Sequence, residues 1–412
     1  MKVLGIIAEY NPFHNGHKYH LLDSLHRTNT THSVAIMSGN FLQRGAPALL
    51  NKWERAKMAV KEGVDLVIEL PFPYACNSAE YFAFGAISLL NSLNIIDYVS
   101  FGSECGNIEK LKTIASVLTE EPIEYKTLLK SFLSKGNSFP SARENALSTY
   151  LNDSTLEEII RTPNNILGIE YIKALINLNS KMEPFTINRI KTEYHSKNIE
   201  NSICSATAIR NHLTKDSYDI SLLSSVMPND SYAILSENIK EELSPIHISD
   251  FSQMILYSLR KSSTNVLKEI VDVTEGLENR IKNASSKAVD IELFLQLTKT
   301  KRYPLTRLQR ICIHTLLGLT KDHILKFSSL GTAPYARILA FSSKGKELIK
   351  TLKKTSSIPI LTNINKQPLS NEIANEMLSL DILSSDLYNL AYVNKKNRTG
   401  GDDYYEKPYI HI

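Results

Sequence analysis

The sequence predicts an α/β fold: an open parallel sheet with helices on both faces in the first half, followed by a mostly helical C-terminal part. In the first third, short runs rich in Val and Ile alternate with longer helical patterns, which is typical of a parallel sheet with crossover helices. Beyond about residue 212, the strand-like runs fade and helical patterns separated by Ser- and Pro-bearing turns take over.

Each expected element follows from its own pattern. Short, mostly apolar runs predict strands at 3–8, 33–37, 66–70, 98–101 and 185–190. Amphipathic stretches between them predict helices at 18–26, 53–62, 79–93 and 108–118. In the second half, helices are expected at 220–225, 251–260, 291–297, 308–317 and 372–380. Because 412 residues exceed what one core usually supports, we predict two domains, 1–214 and 215–412.

Composition excludes several classes of protein. Hydrophobic residues make up 42% and charged residues 22%, as in soluble globular proteins, and no apolar run approaches the ~20 residues of a membrane span. The first apolar run meets Glu9 too soon for a signal peptide. Four scattered cysteines argue against a disulfide framework or a structural zinc site. We therefore expect a cytoplasmic protein without a membrane partner.

Positive charge is concentrated in one segment. Between Lys299 and Lys354 there are 13 basic and two acidic residues, a net charge of +11 in a chain whose total is +4. Such asymmetry often marks a polyanion-binding surface, although a solvated helical face explains it equally well. The first basic cluster comprises Lys299, Lys301, Arg302, Arg307 and Arg310, and the second comprises Lys344, Lys346, Lys350, Lys353 and Lys354.

The strongest chemical signal is the sequence AEYNPFHNGH at residues 8–17, directly after the first expected strand. Ligands of open α/β sheets bind beyond the carboxyl ends of the strands. Pro12 and Gly16 shape a tight loop, and Gly16 allows close approach of a nucleotide. The following helix offers its N-terminal N–H groups to phosphate, and His14 and His17 can stabilise charge on the α-phosphate. A metal-binding pair or two surface histidines are the alternatives.

A second motif, ICSATAIR, occupies residues 203–210. Ser205 is a good N-cap for a helix that runs to about residue 212. The N–H groups of this helix and the hydroxyls of Ser205 and Thr207 would bind the β- and γ-phosphates, and Arg210 would neutralise departing pyrophosphate. Ser-x-Thr before a helix is also common as plain capping, so the motif gains its weight from the first one.

Together these motifs resemble the HxGH nucleotidyltransferase superfamily, relatives of class I aminoacyl-tRNA synthetases. The first is similar to the pattern G-[ST]-F-D-P-x-H-x-G-H, with Glu9 and Asn11 in place of the hydroxyl and aspartate residues, and the second to the signature ISSTxIR. An unpaired Glu9 would repel an anionic acceptor. The resemblance implies a Rossmann-like nucleotidyltransferase (HUP-type) sheet and catalytic roles for His14, His17, Thr207 and Arg210. It also implies that ATP is bound by Ile7, Ala8, Glu9, Tyr10, Asn11, Pro12, Phe13, His14, Asn15, Gly16, His17, Gly102, Asn164, Arg189, Ile190 and Ser205.

Five further segments resemble one branch, the bacterial tRNA(Met) cytidine acetate ligases: MSGNFLQRGAP at 37–47, KWERA at 52–56, ELPFP at 69–73, FGSE at 101–104 and TPNNILGIEY at 162–171. This resemblance implies that ATP activates acetate as acetyl-adenylate. The acetyl group then passes to N4 of the wobble cytidine of elongator tRNA(Met), with Mg²⁺ expected on the phosphates. The two basic clusters are candidates for contacts with the RNA backbone.

Two other interpretations are compatible with parts of the sequence. A small-molecule adenylyltransferase would need the same ATP motifs but not a long, basic second half. A nucleotide-sensing RNA-binding module without turnover would not need the complete set of His14, His17, Thr207 and Arg210. Binding measured at rising salt would separate an electrostatic RNA contact from a small-molecule site.

Overall fold

The structure, a computed structural model, describes residues 1–153, 155–189, 204–214, 217–366 and 368–412. Its described strands form one mixed sheet in the order β5-β4-β1-β2-β3-β6-β7, with β8 paired to β6. Strands β1 to β5 are mutually parallel, and β6 runs antiparallel to β3. The strands are β1 Val3–Ala8, β2 His32–Ser38, β3 Leu66–Leu70, β4 Tyr98–Ser103, β5 Glu183–Asn188, β6 Ala336–Ser342, β7 Ile360–Leu361 and β8 Tyr409–His411.

Helices cover both faces of the sheet. Those of the first half are α1 Asn15–Thr28, α2 Lys52–Lys61, α3 Phe72–Ala75, α4 Ala79–Ser92, α5 Ile108–Glu120, α6 Ile123–Ser134, α7 Phe139–Leu151, α8 Leu156–Arg161 and α9 Pro163–Asn177. Those of the second half are α10 Ala206–Leu213, α11 Asn229–Lys240, α12 Ser252–Lys261, α13 Thr264–Glu269, α14 Leu277–Lys287, α15 Ile291–Thr298, α16 Leu305–Leu317, α17 Lys321–Ser328, α18 Ser343–Thr355, α19 Glu372–Asn389 and α20 Asp402–Tyr405. Short 3-10 helices lie at Ile220–Ser225, Ile248–Phe251 and Lys395–Asn397.

Burial on both faces explains why the central strands are almost continuously apolar. Successive residues of β2 point to opposite faces: Val34 and Ile36 join one core cluster, and Ala35 and Met37 join the other. Helices α4, α5 and α9 pack in the first cluster, and α1, α2 and α10 in the second. The predicted α/β fold is confirmed. No helix in the described part of the chain is long and apolar enough to cross a membrane.

The second half is mostly helical, but it also contributes strands, which corrects the expectation from sequence. Strand β6 pairs with β3, and β7 and β8 pair with β6. Strand β6 carries a buried charged residue, Arg337, beside its apolar run at 338–341, and its pairing with β3 defines it as a strand. The second half therefore shares the sheet of the first, and the division at residue 214 stays a prediction.

Arg337 belongs to a buried network of ion pairs. Lys52 Nζ lies 2.9 Å from Glu69 Oε1 and 2.8 Å from Asp403 Oδ2, and Arg337 Nη1 lies 2.8 Å from the same Asp403 oxygen. A Cβ on Gly39 would lie 2.7 Å from Glu69 Oε1, so glycine is required where the chain leaves β2. Because an unpaired buried charge is costly, this network fixes α2, β3, β6 and α20 relative to one another.

Candidate active site

A cavity of about 310 Å³ opens at the carboxyl ends of β1, β4 and β5, beside the N-terminus of α10. This is where an open α/β sheet places its ligands. The predicted residues that line it are Ile7, Ala8, Glu9, Tyr10, Asn11, His14, Gly16, His17, Gly102, Asn164, Arg189, Ser205, Thr207 and Arg210. Pro12, Phe13 and Asn15 are absent from the described lining, and Ile190 lies outside the described residues.

The two histidines of the first loop form a stacked pair at the start of α1, with ring centroids 3.8 Å apart. His14 is the N-cap, and its Nδ1 accepts a hydrogen bond from the Gly16 N–H at 3.0 Å. His17 Nδ1 accepts from the His14 N–H at 3.4 Å. Because each Nδ1 accepts a main-chain proton, each neutral ring carries its own proton on Nε2. The pair therefore offers two N–H donors to a bound anion.

Electrostatics keep both rings neutral. Burial, together with the charges of Arg189 and Arg210, lowers the pKa of His14 to about 3. Burial and the neighbouring His14 hold the pKa of His17 well below its ordinary value. Both histidines are therefore hydrogen-bond donors to phosphate, and the positive charge of the site comes from arginines.

The remaining residues of the first loop anchor it. Tyr10 and Phe13 are 2% and 0% exposed and pack in the core beneath the loop. Asn11 Oδ1 accepts a hydrogen bond of 2.7 Å from the Leu49 N–H, and Asn15 Nδ2 donates one of 3.1 Å to the Ser225 carbonyl. Their side chains position the loop, and Asn11 occupies the place of the usual aspartate in a structural role.

The second motif lies against the first. Ser205 is the N-cap of α10, and its Oγ accepts a hydrogen bond of 3.2 Å from the Ala208 N–H. Arg210 donates from Nη1 to the Asn11 carbonyl at 2.8 Å and from Nη2 to Thr207 Oγ1 at 3.1 Å. The hydroxyl of Thr207 and the guanidinium of Arg210 therefore face the same cavity as the histidine pair. Ile203, the first residue of the motif, lies outside the described residues.

Arg55 is a structural determinant of the site that had no predicted role. It is 0% exposed and donates to the carbonyls of Glu9 at 2.6 Å, Leu50 at 3.0 Å and Ser38 at 3.0 Å, and to that of Gly39. It thus ties the chain leaving β1 to the chain leaving β2. The sequence feature that could have indicated this role is a charged residue, Arg55, on the apolar face of the helix predicted at 53–62.

The β4 side of the cavity is built by Asn164, Arg189 and Glu104. Asn164 Nδ2 donates to Glu104 Oε1 at 2.6 Å, and Asn164 Oδ1 accepts from Arg189 Nη1 at 3.2 Å. Glu104 also accepts from the Asn165 N–H at 2.8 Å and so caps α9. A Cβ on Gly102 would lie 3.1 Å from Arg189 Cγ, so Gly102 leaves room for the arginine. Glu104 had not been identified as part of the site.

Several cavity-lining residues were given no role in the cavity from sequence: Tyr19, His20, Phe82, Phe101, Leu167, Tyr171, Ile187 and Asn188. Gln43 and Arg44, from the segment 37–47 that resembles the ligase branch, also line the cavity. The main chain of their loop packs closely on α16. A Cβ on Gly45 would lie only 2.2 Å from the Arg310 main-chain nitrogen. Arg310, one member of the first basic cluster, is thereby placed next to the loop that lines the cavity.

Within the first basic cluster, several charges are already paired. Arg310 Nε lies 2.8 Å from Asp272 Oδ2, Arg307 donates to the Asp272 carbonyl at 2.7 Å, and Arg302 pairs with Glu275. Lys299 and Lys301 are exposed and have no ion pair within the described part of the chain. These two lysines are the available cations of the cluster.

The second basic cluster lies on α18, at the amino-terminal ends of the parallel strands. This helix follows β6 where β6 meets the start of β3, since the Ser342 N–H donates to the Asp65 carbonyl at 2.8 Å. All five of its lysines are exposed. The second cluster therefore lies at the ends of the parallel strands opposite the cavity, whereas Arg310 of the first cluster packs on the loop that lines it.

Across the described ranges, no group of three or more His, Cys, Asp or Glu side chains converges in a way that would hold an ion. Glu9 is the one acid among the described lining residues. The described side chains therefore do not form a metal site of their own.

Comparisons with known proteins agree with this geometry. A model of the HIGH nucleotidyl transferase family matches residues 1–403. The chain is 43% identical to a tRNA(Met) cytidine acetate ligase of Alkaliphilus metalliredigens over 99% of both chains. It is 44% identical to one of Acetivibrio thermocellus over 98% of both, and 45% identical to one of Caldanaerobacter subterraneus over 96% of both.

Solved structures give the same result. The crystal structure of Thermotoga maritima TmcAL bound with alpha-thio ATP superposes with a TM-score of 0.93, at 33% identity and over 100% of both chains. The apo form of that protein gives a TM-score of 0.94. The chain belongs to the HIGH nucleotidyl transferase family, in the branch of the tRNA(Met) cytidine acetate ligases.

Proposed function

We propose that this protein is an ATP-dependent ligase that activates acetate as acetyl-adenylate and transfers the acetyl group to N4 of the wobble cytidine of elongator tRNA(Met), forming N4-acetylcytidine. The observation that carries the proposal is the joining of two phosphate-binding motifs at one cavity, through the hydrogen bond from Arg210 to the Asn11 carbonyl. The family's tRNA-modifying members and the ATP analogue in the Thermotoga maritima structure support the substrates.

The first step is an in-line attack of an acetate oxygen on the α-phosphorus of ATP, with pyrophosphate leaving. The Nε2–H groups of His14 and His17 stabilise charge on the α-phosphate, and they need no protonation to do so. Arg210 and Thr207 hold the departing phosphates at the N-terminus of α10. Positioning and charge stabilisation thus supply the catalysis of adenylate formation.

The second step needs an unstacked cytosine at the same cavity, as in most recognition of single-stranded RNA loops. Arg310 of the first basic cluster packs on the cavity loop, and the exposed Lys299 and Lys301 of the same cluster are proposed to contact the RNA backbone. The second basic cluster is proposed to contact a more distant part of the tRNA, because it lies at the ends of the strands opposite the cavity. Such contacts provide affinity and orientation without reading sequence.

Mg²⁺ is proposed to enter with the triphosphate. Its preferred ligands are phosphate oxygens and water with few protein carboxylates, which agrees with the lack of a carboxylate cluster among the described residues. The ion would offset the phosphate charge, while the described residues bind and orient the nucleotide. A cytoplasmic location, where ATP, acetate and tRNA meet, is part of the same proposal.

The proposal is tested by acetate-dependent exchange of labelled pyrophosphate into ATP. We expect exchange with acetate, little with larger carboxylates, and none in the His14→Ala variant. A second assay follows transfer of labelled acetyl to tRNA(Met) transcripts. Absence of exchange with any carboxylate, with or without tRNA, would overturn the proposal. Exchange without transfer to tRNA would indicate a small-molecule adenylyltransferase.

A further inference from the structure

The cavity contains one acidic side chain whose position is unusual for a phosphate-binding site. Glu9 lies at the end of β1, and it is the one acid among the described residues that line the cavity. Arg44, Arg189 and Arg210 line the same cavity. A carboxylate there weakens the field that attracts ATP and acetate, so its presence calls for a task that a carboxylate alone performs.

The carboxylate is held in place and still has a free side. Its Oε1 accepts a hydrogen bond of 3.0 Å from the Gln43 N–H, and its main-chain carbonyl accepts one of 2.6 Å from Arg55. No other hydrogen bond or ion pair to this carboxylate comes from the described residues. Burial lowers the pKa of Arg210, and Glu9 is the nearby charge that most opposes this shift. Glu9 and Arg210 line the same cavity.

The two histidines of the first loop offer no free proton acceptor to a bound ligand. His14 and His17 use Nδ1 to accept main-chain protons, so the nitrogen of each ring that remains free carries a proton. The pKa of Tyr171 is raised by burial and then by Glu9, which keeps its hydroxyl protonated. Glu9 is the one acidic side chain among the described lining residues, and its Oε2 accepts no hydrogen bond from them.

We propose that Glu9 is the general base of the acetyl-transfer step, which rests on the proposed function. The carboxylate accepts a hydrogen bond from the cytosine N4 amine, the contact that Asp and Glu make with this group. As N4 attacks the acetyl carbonyl, the N4–C bond forms and the N4 proton passes to the Glu9 carboxylate. The C–O bond to the phosphate of AMP then breaks, AMP leaves with the electron pair, and Glu9 releases its proton to water.

The assignment also accounts for the difference between this loop and the superfamily pattern. A hydroxyl residue at position 9 would not repel an anionic acceptor, but it is too weak a base to take a proton from an attacking amine. Here the nucleophile is neutral and poorly basic, so it gains from a carboxylate at the site where it loses its proton. The carboxylate of Glu9 therefore suits an acceptor whose attacking group is an amine.

Two acceptors of different chemistry test the proposal in the full-length enzyme. Hydroxylamine, a strong nucleophile, captures acetyl-adenylate as acetohydroxamate with little need for a base, whereas cytosine N4 in tRNA(Met) needs one. In Glu9→Gln we expect the ratio of tRNA acetylation to hydroxamate formation to fall about 100-fold, measured in single turnovers at saturating tRNA. Glu80→Gln, a change at a side chain that is 72% exposed, is the matched control and keeps the wild-type ratio.

The outcomes separate the two proposals. An unchanged ratio in Glu9→Gln, or an equal loss of both products, would overturn the role of Glu9 as base and indicate a structural or ATP-binding role. Hydroxamate formation by the wild-type enzyme tests the proposed function itself. If the wild type forms no hydroxamate with ATP and acetate, acetyl-adenylate formation fails, and this failure is distinct from that of the Glu9 assignment.

Discussion

Arg210 donates a hydrogen bond of 2.8 Å from Nη1 to the main-chain carbonyl of Asn11, a residue 199 positions earlier in the chain. The same guanidinium donates to Thr207 within its own motif. One side chain therefore holds the N-terminus of α10 against the loop that precedes α1. Two helix N-termini, each able to bind phosphate, are thus brought to one cavity.

Replacement of Arg210 by lysine tests this relationship. The charge is kept, but the forked donors that reach both Asn11 and Thr207 are lost. We expect acetate-dependent exchange to fall by about 100-fold, within the range for loss of a preorganised donor. Arg161→Lys, at a side chain that is 65% exposed, serves as the control. Wild-type exchange in Arg210→Lys would show that charge alone suffices.

Neutral His14 predicts a loss of stability in mild acid. Its pKa is lowered from 6.5 to about 3 in the folded state. Below pH 6.5 the unfolded chain therefore binds a proton at this residue that the folded chain does not bind. The free energy of unfolding is undiminished above the pKa of the unfolded state, and it decreases as the pH falls towards the pKa of the folded state. Linkage gives about 2 kcal/mol lost between pH 8 and pH 5 from this residue.

The matched variant for this titration is His14→Asn. Asparagine is a good N-cap and accepts the Gly16 N–H without titrating. Urea denaturation at pH 8 and at pH 5 gives the decrease in the free energy of unfolding for each protein. We expect this decrease to be about 2 kcal/mol smaller in the variant than in the wild type. An equal fall in both proteins would contradict the prediction.

The buried ion pairs predict that Asp403 is essential for stability. Lys52 and Arg337 lie 2.8 Å from its Oδ2 and hold the pKa of this carboxyl below its usual range, although burial would raise it. Asp403→Asn leaves two buried cations with one fewer partner, and we expect the free energy of unfolding to drop by about 3–5 kcal/mol. Asp322→Asn, at an aspartate 71% exposed, should change it by less than about 1 kcal/mol. Urea denaturation measures both, and equal effects would refute the idea.

Two glycines with similar backbone angles predict different costs of an alanine. Gly45 has a φ of +75° and Gly318 one of +71°, but a Cβ on Gly45 would lie 2.2 Å from the Arg310 nitrogen, whereas one on Gly318 meets nothing within 4 Å. We expect Gly318→Ala to lower the free energy of unfolding by about 1 kcal/mol. Gly45→Ala should cost about 3 kcal/mol or more, because main chain must shift.

Activity separates the two alanine variants further. The loop that contains Gly45 carries Gln43 and Arg44 into the cavity, so Gly45→Ala should also raise the KM for ATP or acetate in the exchange assay. Gly318 lies at the end of α16, outside the described lining. Equal losses of stability in the two variants, with unchanged KM, would show that the loop does not depend on its contact with Arg310.

The exposed lysines of the first basic cluster predict salt-dependent tRNA binding. Replacing Lys299 and Lys301 together by alanine should weaken binding of tRNA(Met), and the slope of log K against log salt should decrease by about one for each lost phosphate contact. The double replacement of Lys353 and Lys354 on α18, at the ends of the strands opposite the cavity, should weaken tRNA(Met) binding less. Filter binding over a salt series measures both, and a reversed order would place the anticodon arm on α18.

By itself, the sequence determined the alternation of strand and helix, the phosphate-binding loop with His14 and His17, and the capped helix that carries Arg210. These features are local: apolar periodicity, an N-cap and a glycine in a tight loop are each encoded within about ten residues. Strands β1 to β4 were predicted for the same reason, since burial on both faces makes the central strands almost continuously apolar.

Only the tertiary structure decided how distant parts meet. It placed β6 against β3, buried Arg55 among main-chain carbonyls, made Asn11 an anchor, and put the second basic cluster at the ends of the strands opposite the cavity. Each outcome depends on pairing between groups far apart in the chain, where the partner and not the residue type sets the role. A charged side chain reads as solvated in sequence, and it becomes structural or catalytic only once the fold supplies its carbonyls, its counter-ions or its isolation from water.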